Sequence, residues 1–486
     1  MNPDYTGLFL VLRPEAALVS GALVALGLDL SVFRRRRADA RLCAALWVGA
    51  LAVLAAGICA TLGPHGQAFG GVLIFDTLAV ATRIGVLALT LLTLGAARAA
   101  APPRQSAEYV ALMLFASTGL MLMAAAQQLL LIFLALELAS LSLYVIAGFD
   151  RRRPESAEAA LKYFVFGGMA AAFLLFGFSL LYGITGSIDL PQIAAGIAGQ
   201  GANPLLLVAL VMVLVAFGFK VAAAPFHLWA PDVYQGAPAP SAALVASASK
   251  LAGFTLFTRL LWVGLGSVPF LGAHHVFVPG WFPAVAIVAA ASLLLGNFAA
   301  LAQSNLRRLL AYSAIAHSGA MLLGAMAVWS SGPGPLFYYA STYGLATVGA
   351  FGAIAAAERG GCCEAISDLA GLHRRSPLLA ACLTVFVLSL AGIPPLAGFF
   401  GKFVVFAAAL QGGLTSPLGW LALLAIALSA LALYYYLKIL KQVLVAAPAP
   451  EAAPIKVPIA TALCLVAAAA LLVWFGLDPA QLLGLF

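Results

Sequence analysis

The chain reads as a succession of apolar stretches, most of them near twenty residues long, joined by short polar connections. Stretches at 15–33, 42–62, 73–97, 106–125, 127–148, 159–183, 204–224, 239–264, 281–302, 307–328, 334–357, 377–410, 416–441 and 456–476 give about fourteen spans. At 1.5 Å of rise per residue, about twenty helical residues cross the ~30 Å hydrocarbon layer of a bilayer. The expected class is therefore an all-α polytopic membrane protein with no soluble domain. The N-terminus lacks a basic region followed by a small-residue cleavage site, so the first apolar run is expected to remain as a span.

Two spans are interrupted. Several prolines in FGFKVAAAPFHLWAPDVYQGAPAP end the seventh, and a Pro-Pro with glycines in LAGIPPLAGFFGKF divides the twelfth. Irregular backbone at membrane depth has to be enclosed by protein or line a polar cavity, because lipid cannot satisfy its carbonyls and amides. The interruptions lie five spans apart, and two consecutive five-span units necessarily enter the membrane from opposite sides. This parity predicts two inverted five-helix repeats, each with a discontinuous helix, and a transport site where they meet. The expected organisation is an N-terminal three-helix segment over 1–105, repeats over 106–264 and 265–441, and a last span within 442–486.

Composition fits a bilayer rather than water: 64% of the 486 residues are hydrophobic and 9% charged, against roughly 25% charged in soluble domains. The formal net charge of +8 does not point to nucleic acid, because the basic residues sit in short connections rather than on one face. Arg34, Arg35, Arg36, Arg37 and Arg41 follow the first span, Arg98 and Arg104 the third, and Arg151, Arg152 and Arg153 the fifth. Arg307 and Arg308 follow the ninth, and Arg359, Arg374 and Arg375 the eleventh, whereas even connections such as GPHGQ and GSIDLPQ carry neither Lys nor Arg. Cytoplasmic connections are the ones enriched in Lys and Arg, so both termini are expected outside the cytoplasm. The six cysteines, including adjacent Cys362 and Cys363, show no metal-binding spacing. No iron–sulfur cluster, zinc or haem is expected in this chain.

Four ionisable residues lie too deep to be accidental. Glu137, in LLLIFLALELASLSLY, is about ten residues, or on the order of 15 Å, from either end of the fifth span. Lys250, in LVASASKLAGFTLF, is central in the eighth, and Lys220 and Lys402 adjoin the two interrupted helices. A charge at the bilayer centre costs from about 2.5 kcal/mol upward unless partners or hydration offset it. Burial penalises the charged form of both residue types, which makes them usable proton carriers. Moving Glu137 toward or away from Lys220 would load or release the lysine's proton. The plain alternative is a static Glu137–Lys220 ion pair that fixes helix register; it leaves Lys250 and Lys402 unexplained.

Lys162, near the start of the sixth span, either lies beside Glu137 or reaches the surface along its aliphatic stem. His227 and His317 are relay candidates by their titration near neutrality, with packed hydrogen-bonding roles as the alternative. Arg83, seven residues after Asp76 on one helical face, and Arg259, nine after Lys250, read as structural pairs or interface anchors. Lys438 and Lys441 lie near the cytoplasmic end of the thirteenth span, within reach of the surface.

At these residues the chain resembles the antiporter-like membrane subunits of respiratory complex I, the proton-pumping NADH:quinone oxidoreductase. The resemblance spans essentially the whole chain and is carried by LELASLSLYVIAGF, ESAEAALKYFVFGG, GFKVAAAPFHLWAPDVYQGAP, NLRRLLAYSAIAHSG and GIPPLAGFFGKF. It implies that Glu137 is the family's fifth-helix glutamate, that Lys220 and Lys250 are its seventh- and eighth-helix lysines, and that Lys402 is the twelfth-helix residue near the exit. The bacterial N-type chain fits best: the M-type has glutamate where Lys402 stands, and the L-type carries a long lateral helix after its last span. Arg83 within the third span is not part of the family pattern. The resemblance also implies that NADH oxidation, flavin, iron–sulfur clusters and the quinone site belong to partner subunits, with neighbouring antiporter-like subunits and lipid as contacts. The implied location is the bacterial inner membrane. Two alternatives stay open: a subunit of a multi-chain cation/proton antiporter, and a scaffold that closes a pump while other chains move protons.

Overall fold

The computed structural model describes residues 7, 10–100, 105–198, 203–266, 280–361, 363–414, 416–448 and 453–486, and Arg104 and Cys362 lie outside them. Among the described residues, twelve helices are long and apolar enough to cross a membrane. Pro204–Lys220 supplies the seventh span, and Pro377–Ala391 with Ala397–Leu410 the twelfth. All fourteen expected spans are thus present, and the protein is an all-helical multi-pass membrane protein.

Local chemistry sets the ends of these helices. The third span, Thr77–Ala97, begins where Asp76 Oδ1 accepts from Ala79 N at 2.8 Å. Likewise Asn305 caps the tenth, Leu306–Met326, and Ser416 the thirteenth, Pro417–Leu444. Such side-chain oxygens satisfy amides that have no partner within the first turn. Between spans, small residues permit backbone contact, which drives association where lipid is as apolar as leucine. A Cβ on Gly119 of the fourth span, Ser106–Ala125, would stand 2.5 Å from Ala139 N of the fifth, Leu129–Ala147. A Cβ on Gly296 of the ninth, Phe282–Leu301, would stand 2.5 Å from Ala316 N of the tenth.

Both expected interruptions are present and locally satisfied. The seventh span stops at Lys220 and resumes as the short helix Trp229–Gly236; Trp229 Nε1 donates to Phe219 O at 3.0 Å, and Ala224 N to Ser292 Oγ at 2.8 Å. In the twelfth, Gly392 at φ +84° ends the first half, and Gly398 N donates to Ser389 Oγ at 3.2 Å across the gap. A third interruption was not expected. The eighth span divides into Ala239–Ala246 and Ala248–Arg259 around Ser247, whose φ of −114° and ψ of −83° are not helical, and then closes with a π turn over Leu260–Gly264. Ser247 stands three residues before Lys250, and no proline marks the bend.

One buried ion pair joins the third span to the first, and a second, partly exposed pair ties the third to the eighth. Arg83 binds Glu15 of the first span, Arg13–Ser31, with Nη2 2.7 Å from both carboxylate oxygens. Arg259 Nη2 lies 2.9 Å from Asp76 Oδ1. Both arginines are held in ion pairs, and Asp76 is the partner of Arg259 rather than of Arg83. Asp76 sits at the helix start, and a seven-residue separation along a helix is about 10 Å, beyond ion-pair reach for a carboxylate engaged in capping. Elsewhere, the connection after the second span forms a small antiparallel hairpin, Gly66–Ala68 with Leu73–Phe75, and Leu190–Ile197 forms a short helix after the sixth.

Candidate functional site

The buried polar residues form a line through the middle of the bundle. Glu137 is half-buried on the fifth span, beside the exposed Leu134, Leu138 and Leu141, and its Oε1 is enclosed without a hydrogen-bond partner. Lys220 is 4% exposed and occupies the last turn of its half-helix, where the negative end of the helix favours a cation. Its Nζ donates to Ser140 Oγ at 3.2 Å. Among the described residues no carboxylate lies within ion-pair distance of Lys220, so the static Glu137–Lys220 contact is not formed. Ser140 stands three residues beyond Glu137 on the fifth span, so the lysine is docked one turn from the carboxylate.

From Lys220 the line continues through Ser318 of the tenth span. The lysine stem packs against Gly253 of the eighth, and Val221 O, freed by the helix break, accepts from Ser318 Oγ at 2.6 Å. Lys250, 2% exposed, donates to the same Ser318 Oγ at 2.7 Å and to Ala314 O. Its ammonium also lies 5.2 Å from the centre of the Tyr343 ring, a cation–π arrangement. Two carbonyl or hydroxyl oxygens and an aromatic face thus replace water around Lys250.

His317, adjacent to Ser318, carries the line onward. Its Nδ1 is 2.6 Å from Tyr339 OH, its Nε2 is 3.1 Å from Tyr436 OH, and its ring stacks at a tilt 4.9 Å from Tyr343. A cavity of about 20 Å³ joins His317 and Tyr339 to Lys402, with Asn297, Ser429 and Tyr435 also in its wall. That is room for one water molecule, with more than enough polar partners to hold it. Lys402 Nζ donates at 2.9 Å to Ala391 O, a carbonyl freed at the end of the broken twelfth helix.

The remaining candidates lie off this line. Lys162 is at the arginine-bearing end of the bundle, with Nζ 2.6 Å from both Glu158 Oε1 and Asp232 Oδ2, and Arg308 Nη1 binds the other oxygen of Asp232 at 2.6 Å. Of the two positions open to Lys162, it takes the one at the surface. His227 is buried in the irregular part of the seventh span, with Nδ1 unpartnered. Lys438 and Lys441 are exposed. Residues that single-sequence reasoning did not select include Ser140, Ser318, Asp232, Tyr339, Tyr343 and Tyr436. The tyrosines stand in apolar helical runs and read as packing aromatics; only the pairing of Ser318 with the adjacent His317 carried a signal.

Residues 126–432 match the family described as NADH:quinone oxidoreductase/Mrp antiporter, TM. The matched region begins at the fifth span and includes Glu137, Ser140, Lys220, Lys250, His317, Ser318 and Lys402. NADH-quinone oxidoreductase subunit N 2 of Acidobacterium capsulatum is 48% identical over 99% of this chain and 98% of its own length. The chain belongs to the subunit N family. Subunit N of Alkalilimnicola ehrlichii is 38% identical over 93% of this chain and 90% of its own length. A chain of respiratory complex I from Thermus thermophilus with bound aureothin superposes with a TM-score of 0.77 at 34% identity, over 97% of this chain and 98% of that one. A chain of the Mrp complex from Dietzia has the same fold, with a TM-score of 0.80 at 22% identity over 97% of this chain and 96% of its own.

Proposed function

We propose that this chain is a proton-translocating membrane subunit of NADH:quinone oxidoreductase, coupling quinone reduction in partner chains to proton transfer through its own buried lysines. The observation that carries this reading is the continuity of the line from Ser140 and Lys220 through Ser318, Lys250 and His317 to Lys402, set in a member of the subunit N family. The arginine-bearing end faces the cytoplasm and both termini face outside, in the bacterial inner membrane. Lys220 is loaded from the cytoplasmic end, Lys250 and His317 relay, and Lys402 releases outward. Glu137 sets how firmly Lys220 holds its proton, and the observed Ser140 contact corresponds to the separated state of that pair. His227 and Lys162 serve uptake, Lys162 through its contact with Asp232. The chain carries no redox centre; NADH, flavin, iron–sulfur clusters and quinone are handled by partners, as part of one translocase.

Two inverted repeats over the fourth to eighth and ninth to thirteenth spans organise this path. In support, each repeat has a broken helix with a lysine at or near the break, and each begins with a glycine-mediated backbone crossing, at Gly119 and at Gly296. A second reading, a subunit of a cation/proton antiporter, is favoured by the shared fold with the Mrp complex. Isolation of the chain with redox partners distinguishes the two. For the proton role, Lys220→Ala and Glu137→Gln in an assembled complex are expected to lower protons moved per electron. Full pumping in both variants would return the chain to the scaffold reading.

A further inference from the structure

A cavity of about 410 Å³ lies away from the buried line, at the arginine-bearing end. Its lining combines the apolar and aromatic Leu42, Ala97, Tyr109, Phe149 and Pro238 with the exposed Arg151 and Arg152, the half-buried Arg153, the buried Arg307, and Asp150 and Glu358. The acidic groups are already engaged. Glu358 pairs with Arg307, and Asp150 Oδ1 accepts from the backbone amide of Arg152 at 3.2 Å. Arg153 is held by Glu364 at 2.6 Å. Arg151 and Arg152 are exposed, and among the described residues neither guanidinium has a carboxylate within ion-pair distance. Arg307 is 2% exposed and donates to Gln235 O and Ala237 O, yet its Nε is buried without a partner. The sixth span, Pro154–Thr185, starts directly after Arg153, so its positive end adds to the same field.

A cavity with apolar and aromatic residues beside surplus guanidinium charge fits a ligand that is anionic at one end and apolar behind it. We propose that this cavity binds a phosphate ester of net negative charge, with the phosphate between Arg151 and Arg152 and the organic part against Tyr109 and Phe149. An anionic phospholipid headgroup and a soluble phosphate present the same chemistry. Arginine pairs match phosphate oxygens bidentately, and basic pockets between helices at this surface suit lipid headgroups. The ligand would lie on Pro238 and Ala239, at the start of the span that carries Lys250, but the proposal does not depend on proton transfer through that residue.

The test uses the assembled complex in detergent, irradiated with photoreactive phosphatidylglycerol or phosphatidylcholine, with adducts mapped by peptide mass spectrometry. Labelling of the segment over 149–153 is expected to favour phosphatidylglycerol by about tenfold or more, as two basic residues near a surface allow. Arg151→Gln with Arg152→Gln should abolish that preference while NADH oxidation stays unchanged, and Arg151→Lys with Arg152→Lys should keep most of it. Suppression of the adduct by inorganic phosphate, lost in the glutamine variant, would also support the site and identify a soluble phosphate as its occupant. Equal labelling by the two lipids in the unaltered complex, with no effect of inorganic phosphate, would overturn the proposal without touching the proton-transfer reading.

Discussion

Ser318→Ala is the most incisive perturbation of the buried line, because it removes one oxygen and almost no volume. The hydroxyl is fully buried, accepts from Lys250 Nζ at 2.7 Å and donates to Val221 O at 2.6 Å, so it links the eighth-span lysine to the seventh-span break. A hydrogen bond to a charged group is worth about 1.5–3 kcal/mol. Since about 1.4 kcal/mol is a factor of ten, transfer between Lys220 and Lys250 should slow by roughly ten- to 150-fold. The measurement is NADH-driven proton uptake into inverted membrane vesicles, expressed per electron, with complex content quantified in parallel. Uptake per electron should fall in Ser318→Ala and stay near normal in Ser318→Thr, which keeps the oxygen. An unchanged ratio in an assembled Ser318→Ala complex would remove this hydroxyl from the path.

Three further outcomes follow from the geometry. Gly392→Ala should impair pumping more than assembly: the residue sits at φ +84°, which costs a side-chain-bearing residue about 1–2 kcal/mol, and its new Cβ would stand 3.3 Å from Lys402 Nζ. Proton uptake and subunit content, measured together, separate the two effects. Arg83→Leu strands Glu15 in an apolar interior at a cost of about 3–5 kcal/mol, so the melting temperature of the purified complex should drop, and adding Glu15→Leu should restore most of it. Gly296→Ala drives a methyl into the tenth-span backbone, at a cost of about 1–3 kcal/mol, and should reduce the amount of assembled complex recovered from membranes.

Much of the architecture was legible because the bilayer enforces it. Each crossing needs a near-continuous apolar run, so span number follows from hydropathy, and the prolines and glycines around Lys220 and Lys402 marked two of the three interrupted helices. The bend at Ser247 left no such mark. Its neighbours Ala246 and Ala248 are strong helix formers, and the deviation depends on packing against other spans, which local sequence does not encode. The four deep charges could be picked out singly, since each violates the composition of its span. Their partners could not: Ser318, Tyr339, Tyr343 and Tyr436 are ordinary residues in apolar helices, and only the tertiary fold brings the last three around His317. The same limit applies to Asp76, whose partner Arg259 is five spans away.

The eighth span also bears on how the protein is made. Every residue from Ala239 to Leu261 is buried, so this segment has no face toward lipid, although it carries Lys250 and Arg259. A lysine near the centre of an isolated helix disfavours its insertion by about 2.5–3.5 kcal/mol. The third span receives the other charge, Arg259, through Asp76, while Thr82 Oγ1 meets Thr255 Oγ1 at 2.9 Å and Gly85 lets Leu251 close against the backbone; Lys250 itself is met by Ser318 and Tyr343 of the tenth and eleventh spans. During synthesis, an already inserted third span can therefore act as an intramolecular chaperone that receives the eighth.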